Sequence, residues 1–172
     1  MIDSALIGFW SNADGTMEFS TDGWLYRFGT SSYFVAADGL SLTITAPNGH
    51  VTVYSRQTGS GAALTGTWKY VDNSSADIMI EEWTFGASGT YTSLWTLNGQ
   101  IDSTFFGYFS LVGNQLTTRE RSGLLVVAEG GQLNIDKPYD IDQVGTYSFL
   151  PNGHLSLVLN GETTDLTPVT AP

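Results

Sequence analysis

The chain has 172 residues, enough for one domain with a well-buried core, and 41% of them are apolar and 13% aromatic. Its 17 acidic residues outweigh 6 basic ones for a net charge of −11, a field that repels phosphate backbones and anionic lipid. Nucleic acid and membrane insertion are therefore not expected, and no run approaches the roughly 20 apolar residues of a spanning helix.

Met1-Ile-Asp-Ser leads straight into a strand-like segment and does not read as a signal peptide. From there, short apolar or aromatic runs alternate with turn dipeptides: Asp14-Gly15, Asp22-Gly23, Asp38-Gly39, Asn48-Gly49, Ser88-Gly89, Gly113-Asn114 and Asn152-Gly153. Asn-Gly and Asp-Gly between alternating runs are strong hairpin signals, because the turn needs positive φ. Tyr33, Val35, Leu40, Leu42 and Ile44 share one parity, and Tyr91, Trp95 and Leu97 share another. Ser74 to Trp83 fits a strand better than a helix, and no window keeps a helical period over three turns. The expectation is an all-β chain of about ten or more antiparallel strands with little or no helix.

The chain also echoes itself. Gly8-Phe9-Trp10 and Gly66-Thr67-Trp68 each open a segment, at about residues 6–58 and 64–136, and a last hairpin occupies about 144–160. Phe19 matches Phe85, Gly23 matches Gly89, and Tyr33-Phe34 matches Tyr108-Phe109. Stacked hairpin units cover each other's apolar faces, and a closed sheet has no exposed edge. A single up-and-down β-barrel domain over 1–172 is predicted, with a two-sheet β-sandwich as the competing architecture.

The Gly-x-Trp opening, the F-x-x-D-G hairpin and the Y-x-V-x-x-D-G-L-x-L hairpin resemble the bacterial lipocalin-like domains of the calycin group, loosely over Leu6 to Ile135. The resemblance implies an up-and-down barrel holding a small apolar ligand in its mouth. A typical lipocalin has one Gly-x-Trp strand, a C-terminal helix and a characteristic arginine. Here the motif occurs twice, and neither the helix nor the arginine is evident.

Both histidines follow a Pro-Asn-Gly: His50 in APNGHVTV and His154 in LPNGHLSL. Their parity opposes that of Val51 and Val53, and of Leu155 and Leu157, so each reads as a turn-flanking surface residue. No further His, Asp or Glu converges on them and cysteine is absent, so no metal or cofactor is expected. Asp136, Asp140 and Asp142 lack calcium-loop spacing and read as a solvated acidic turn. Thr58 to Ala62 reads as a flexible connector, there being no nucleophile elbow or phosphate loop in the chain.

Two carboxylates carry more chemistry. Glu81 shares parity with Met79, Trp83 and Phe85, and Glu120 with Leu116, so both are candidates for an inward acid or base. An outward-turning bulge or an arginine ion pair would remove that role. A three-residue Ala87-Ser88-Gly89 turn would pair Phe85 with Tyr91, Trp83 with Ser93 and Glu81 with Trp95. Trp83, Tyr91, Trp95, Phe105 and Phe109 then share one face, either as plain core or as the wall of a ligand cavity.

The leading expectation is a non-enzymatic barrel that binds a small hydrophobic or aromatic molecule. A barrel cyclase or isomerase using Glu81 or Glu120 is the alternative, and an extracellular adhesion or assembly module is the third. Richness in Gly, Ser, Thr and Asn with only Lys69 and Lys137 as lysines suggests the bacterial envelope or exterior, reached with a leader not present in this sequence.

Overall fold

The computed structural model describes residues 2–137 and 142–172, and every regular element among them is a strand. The first seven are β1 (Gly8–Asn12), β2 (Gly15–Phe19), β3 (Trp24–Val35), β4 (Ser41–Thr45), β5 (Val51–Arg56), β6 (Gly66–Asp72) and β7 (Met79–Phe85). The rest are β8 (Thr90–Leu97), β9 (Gln100–Val112), β10 (Gln115–Glu129), β11 (Gln132–Asp136), β12 (Gln143–Phe149), β13 (Leu155–Leu159) and β14 (Glu162–Val169). Strands adjacent in sequence pair with each other, and β1 pairs with β14. The pairing order is thus a closed ring, an all-β up-and-down barrel fold. A sandwich would have left free edges.

Contacts divide the chain into two compact units: unit 1 is Met1–Gly29 with Glu120–Pro172, and unit 2 is Thr30–Arg119. β3 and β10 run through both, and these two strands also pair with each other. In unit 1 the Leu125 amide donates to Gly23 O at 2.8 Å and the Ser122 hydroxyl to Leu25 O at 3.1 Å. In unit 2 the Tyr33 amide donates to Asn114 O at 2.8 Å. Each unit therefore closes its own cycle of eight paired segments. Unit 1 uses β1, β2, the start of β3, the end of β10 and β11 to β14; unit 2 uses the rest of β3, β4 to β9 and the start of β10. Eight strands enclose an interior just wide enough for side chains or one small ligand. The second Gly-x-Trp strand has its explanation here: there is one for each cycle.

Both cycles are built on one local frame, written Leu-x-Gly-x-Trp as Leu6 to Trp10 and Leu64 to Trp68. The Trp10 indole donates to Leu6 O at 2.9 Å, and the Trp68 indole to Leu64 O at 2.7 Å. Both leucines are buried, so each bond satisfies a carbonyl that water does not reach. Between them, Gly8 and Gly66 have φ of 145° and 124°, a region that side-chain-bearing residues rarely adopt. At Gly66 a Cβ would also run into the Thr58 carbonyl.

The register repeats as well. Gly8, Trp10 and Asn12 face Phe19, Met17 and Gly15, as Gly66, Trp68 and Tyr70 face Phe85, Trp83 and Glu81. Met17 then faces Arg27 where Trp83 faces Ser93. Two separate cores result. In unit 1 Leu6, Trp10, Phe19, Leu155 and Leu166 pack together; in unit 2 Trp68, Phe85, Tyr91, Leu42 and Leu116 do so.

Turn chemistry sets the strand ends. The side chains of Asp22, Asp38, Asn48 and Asn152 each accept the amide two residues on, from Trp24, Leu40, His50 and His154. Both Pro-Asn-Gly-His segments are therefore the same hairpin turn, closed by Ala46 N to His50 O and by Leu150 N to His154 O, each at 2.8 Å. Leu40 departs from the expected inward set: it lies in its turn, 65% exposed.

Replacing Trp10 or Trp68 by Phe removes the indole donor and leaves a buried carbonyl unpaired, so each variant should lose about 1–3 kcal/mol in urea unfolding. Losses below about 0.5 kcal/mol would show that the indole bond does not stabilise the frame.

Candidate functional site

In unit 2, β7 presents Glu81 inward between Tyr70 on β6 and Trp95 on β8, and the residue is only 7% exposed. Both carboxylate oxygens are taken. Tyr54 on β5 donates its hydroxyl to Oε2 at 2.8 Å, and Trp83 donates its indole N–H to Oε1 at 2.6 Å. Burial raises the Glu81 pKa above the usual carboxylate range, and the two donors offset part of that rise. Burial also raises the Tyr54 pKa, aided by the Glu81 charge beside it, so the tyrosine remains a donor. Among the described residues no arginine pairs with Glu81. The carboxyl is held in place by the Trp83 indole N–H and the Tyr54 hydroxyl rather than by an ion pair.

The aromatic face expected on β7, β8 and β9 forms with the expected pairing: Phe85 with Tyr91, Trp83 with Ser93 and Glu81 with Trp95. Trp83 stacks on Tyr91 with centroids 5.1 Å apart, and Phe85 meets Phe109 edge-on at the same distance. Trp95 donates to the buried Ser93 hydroxyl at 3.0 Å, and Phe105 faces Ser93 across the next strand. Trp83, Trp95, Phe105 and Phe109 are half-buried, and Tyr91 is fully buried. Trp83, Phe85, Tyr91 and Phe109 contact one another, and a more open groove of about 330 Å³ lies elsewhere in unit 2, between Leu40, Val53, Tyr54, Lys69, Tyr70 and Val71.

Arg56 was not anticipated from the sequence. Its guanidinium carbon lies 4.0 Å from the Trp68 ring centroid. Its nitrogens donate to the carbonyls of Gly39, Gly61, Ala63 and Thr65. The Gly-rich segment read as a flexible connector is thus laced over the Trp68 indole by one side chain.

In unit 1 the same level of the frame is hollow. Asn12, Gly15 and Met17 stand where unit 2 has Tyr70, Glu81 and Trp83. A cavity of about 330 Å³ opens there. Its floor is Phe19, Leu25, Ile135 and Leu157, all at most 3% exposed, with Met17 and Leu159 on its walls. Asp14, Arg27, Gln143 and Glu162 stand around it as polar lining. No sequence motif marks this site, because its signal is the smallness of the residues at these frame positions relative to those of unit 2.

The remaining candidates do not join a site. Glu120 is half-buried, engaged with neighbours of its own, and falls in unit 1, whereas Glu81 lies in unit 2. His50 is exposed and His154 half-buried at their turn exits. Asp136 is exposed on β11 and Asp142 accepts the Lys137 amide at 3.2 Å, while Asp140 lies outside the described residues. Among the described residues no cluster of His, Asp or Glu could hold a metal ion. In comparison with known proteins, no family model, curated protein or solved structure matches the chain.

Glu81 gives a signed pH prediction. Its folded pKa lies above the ordinary value of 4.5, so the unfolded chain ionises first as pH climbs. Stability is then greatest below that value, declines until the folded pKa is passed, and stays lower thereafter. Glu81→Gln can accept from the Trp83 indole and donate to the Tyr54 oxygen, so it should keep the fold and remove the decline. Relative to the native chain its stability should rise between pH 4 and 7; parallel profiles in urea would contradict a buried carboxyl. Glu81→Ala strands both donors and should cost about 2–4 kcal/mol at any pH.

Proposed function

We propose that the chain is a non-enzymatic, lipocalin-like binder of a small, largely apolar molecule, taken into the interior of unit 1. One observation carries the reading: at equivalent positions the same frame carries large side chains in unit 2 and small ones, beside a cavity, in unit 1. Where Tyr70, Glu81 and Trp83 occupy unit 2, the smaller Asn12, Gly15 and Met17 leave about 330 Å³ over an apolar floor. That volume is at the lower end of small-molecule pockets, and above the apolar floor the lining is polar, with Asn12, Thr16 and Thr164 beside the charged groups. Burial of a ligand there is driven by apolar area removed from water.

The lipocalin-like assignment is supported by the barrel topology and by Arg56 on Trp68. That contact supplies the arginine the family resemblance calls for, on β5, which follows β6 directly in the pairing cycle. A second reading, proton transfer by Glu81, draws support from its burial and raised pKa. It is the weaker of the two, since Tyr54 and Trp83 already occupy both oxygens and packed rings surround them.

The test copies unit 2 into unit 1. Met17→Trp places at the cavity wall the residue its counterpart Trp83 supplies. The native chain should enhance the fluorescence of N-phenyl-1-naphthylamine, a neutral apolar probe, and Met17→Trp should weaken that binding at least tenfold. Trp83→Phe should leave it within about twofold. Equal binding by all three proteins, or none by the native chain, would refute the unit 1 cavity as the site and favour an adhesion or assembly role.

A further inference from the structure

We infer that the unit 1 cavity takes a small amphiphile with a carboxylate head, bound by Arg27, an inference that rests on reading this cavity as a ligand site. Arg27 sits on β3 opposite Met17 and shares the parity of buried Leu25, which brings it to the cavity lining. Its counterpart in the unit 2 frame is Ser93, a buried hydroxyl that accepts the Trp95 indole. Position 27 thus carries a cation where the packed copy needs only a small acceptor.

The four arginines are used differently. Arg56 is engaged by backbone carbonyls and Trp68, Arg119 lies over Tyr108, and Arg121 lies over Trp24. The Arg27 guanidinium has no hydrogen bond, ion pair or ring contact among the described residues. Among the described residues it is also the one cationic side chain of the cavity lining. Of the two carboxylates there, both exposed, Asp14 lies in the turn after β1 and accepts from Asn12 Nδ2 at 3.2 Å, and Glu162 opens β14. With neither does Arg27 form an ion pair. In a chain of net charge −11, the unpaired guanidinium is the group that an incoming anion would meet favourably. Its planar fork matches a carboxylate with two parallel, charge-assisted bonds, and the buried apolar floor below suits a hydrocarbon body.

Volume bounds the body. At about 30 Å³ per water, 330 Å³ holds roughly eleven water-sized groups, which fits a chain of about eight carbons with its head. Asp14 and Glu162 oppose the same anion, so they set a sign that a merely apolar pocket would not show.

Octanoate, 1-octanol and octylamine, titrated at pH 7 while the Met17 methyl NMR signal is followed, separate the possibilities. Octanoate should bind tightest, and Arg27→Gln should weaken it roughly tenfold while leaving octanol within twofold. Arg27→Lys should restore part of the loss, and Glu162→Gln should strengthen octanoate. Salt should weaken octanoate and spare octanol. Among the described residues the Arg27 guanidinium makes no hydrogen bond or ion pair, so Arg27→Gln should unfold close to the native midpoint. If octanoate and octanol bind alike and Arg27→Gln changes neither, the carboxylate inference fails while the cavity stands as an apolar site. Tightest binding by octylamine, lost in Glu162→Gln, would reverse the charge and overturn it equally. If none of the three moves the Met17 signal, the cavity is not a ligand site and both readings fall together.

Discussion

The indole N–H bond to a leucine carbonyl four residues upstream organises each half of this molecule. It holds Trp10 against Leu6 and Trp68 against Leu64, and both leucines are buried, so neither carbonyl has water as a substitute partner. In each half the chain passes from a lead-in segment into a strand, β1 or β6, through Gly8 or Gly66 at positive φ, and the indole ties the strand to that segment. Once Trp is placed, the antiparallel register follows: Phe19 and Phe85 lie opposite the glycines, and Met17 and Trp83 lie opposite the tryptophans.

Two copies of one frame allow the interior to be varied without altering the wall. Unit 2 spends its volume on rings, with Trp83, Phe85, Tyr91 and Phe109 in mutual contact, and places one carboxyl among them. That carboxyl costs desolvation, and the Tyr54 and Trp83 donors reduce the cost without abolishing it. Unit 1 leaves the equivalent level to Asn12, Gly15 and Met17. The cavity beside those smaller residues is the space that the proposed ligand would occupy.

Much of this was legible in the sequence. Asn-Gly and Asp-Gly pairs mark turns because the Asx side chain caps the amide two residues later, as Asn48 and Asn152 do for the two histidines. Period-two parity placed Glu81 with Trp95, and the turn at Ala87-Ser88-Gly89 fixed that pairing to the residue. Further turns at Asn98-Gly99 and Asn160-Gly161 carry the same signal, with Asn98 and Asn160 at φ of 52° and 50°. What parity could not supply was long-range contact. Tyr54 reaches Glu81 across 27 positions, and Arg56 reaches Trp68 only because β5 and β6 are neighbours in the unit 2 cycle. Likewise the β3–β10 pairing, which closes each cycle, joins segments far apart in sequence with no local mark to announce it.

The central claim is that the frame level occupied by packed rings in unit 2 is an enterable cavity in unit 1. Methyl NMR under xenon tests it most directly, because xenon enters apolar hollows without needing a head group. Shifts confined to Met17, Leu157 and Leu159, with Ile44 and Leu116 unmoved, are the predicted result. Shifts at Ile44 and Leu116, or none around Met17, would contradict it.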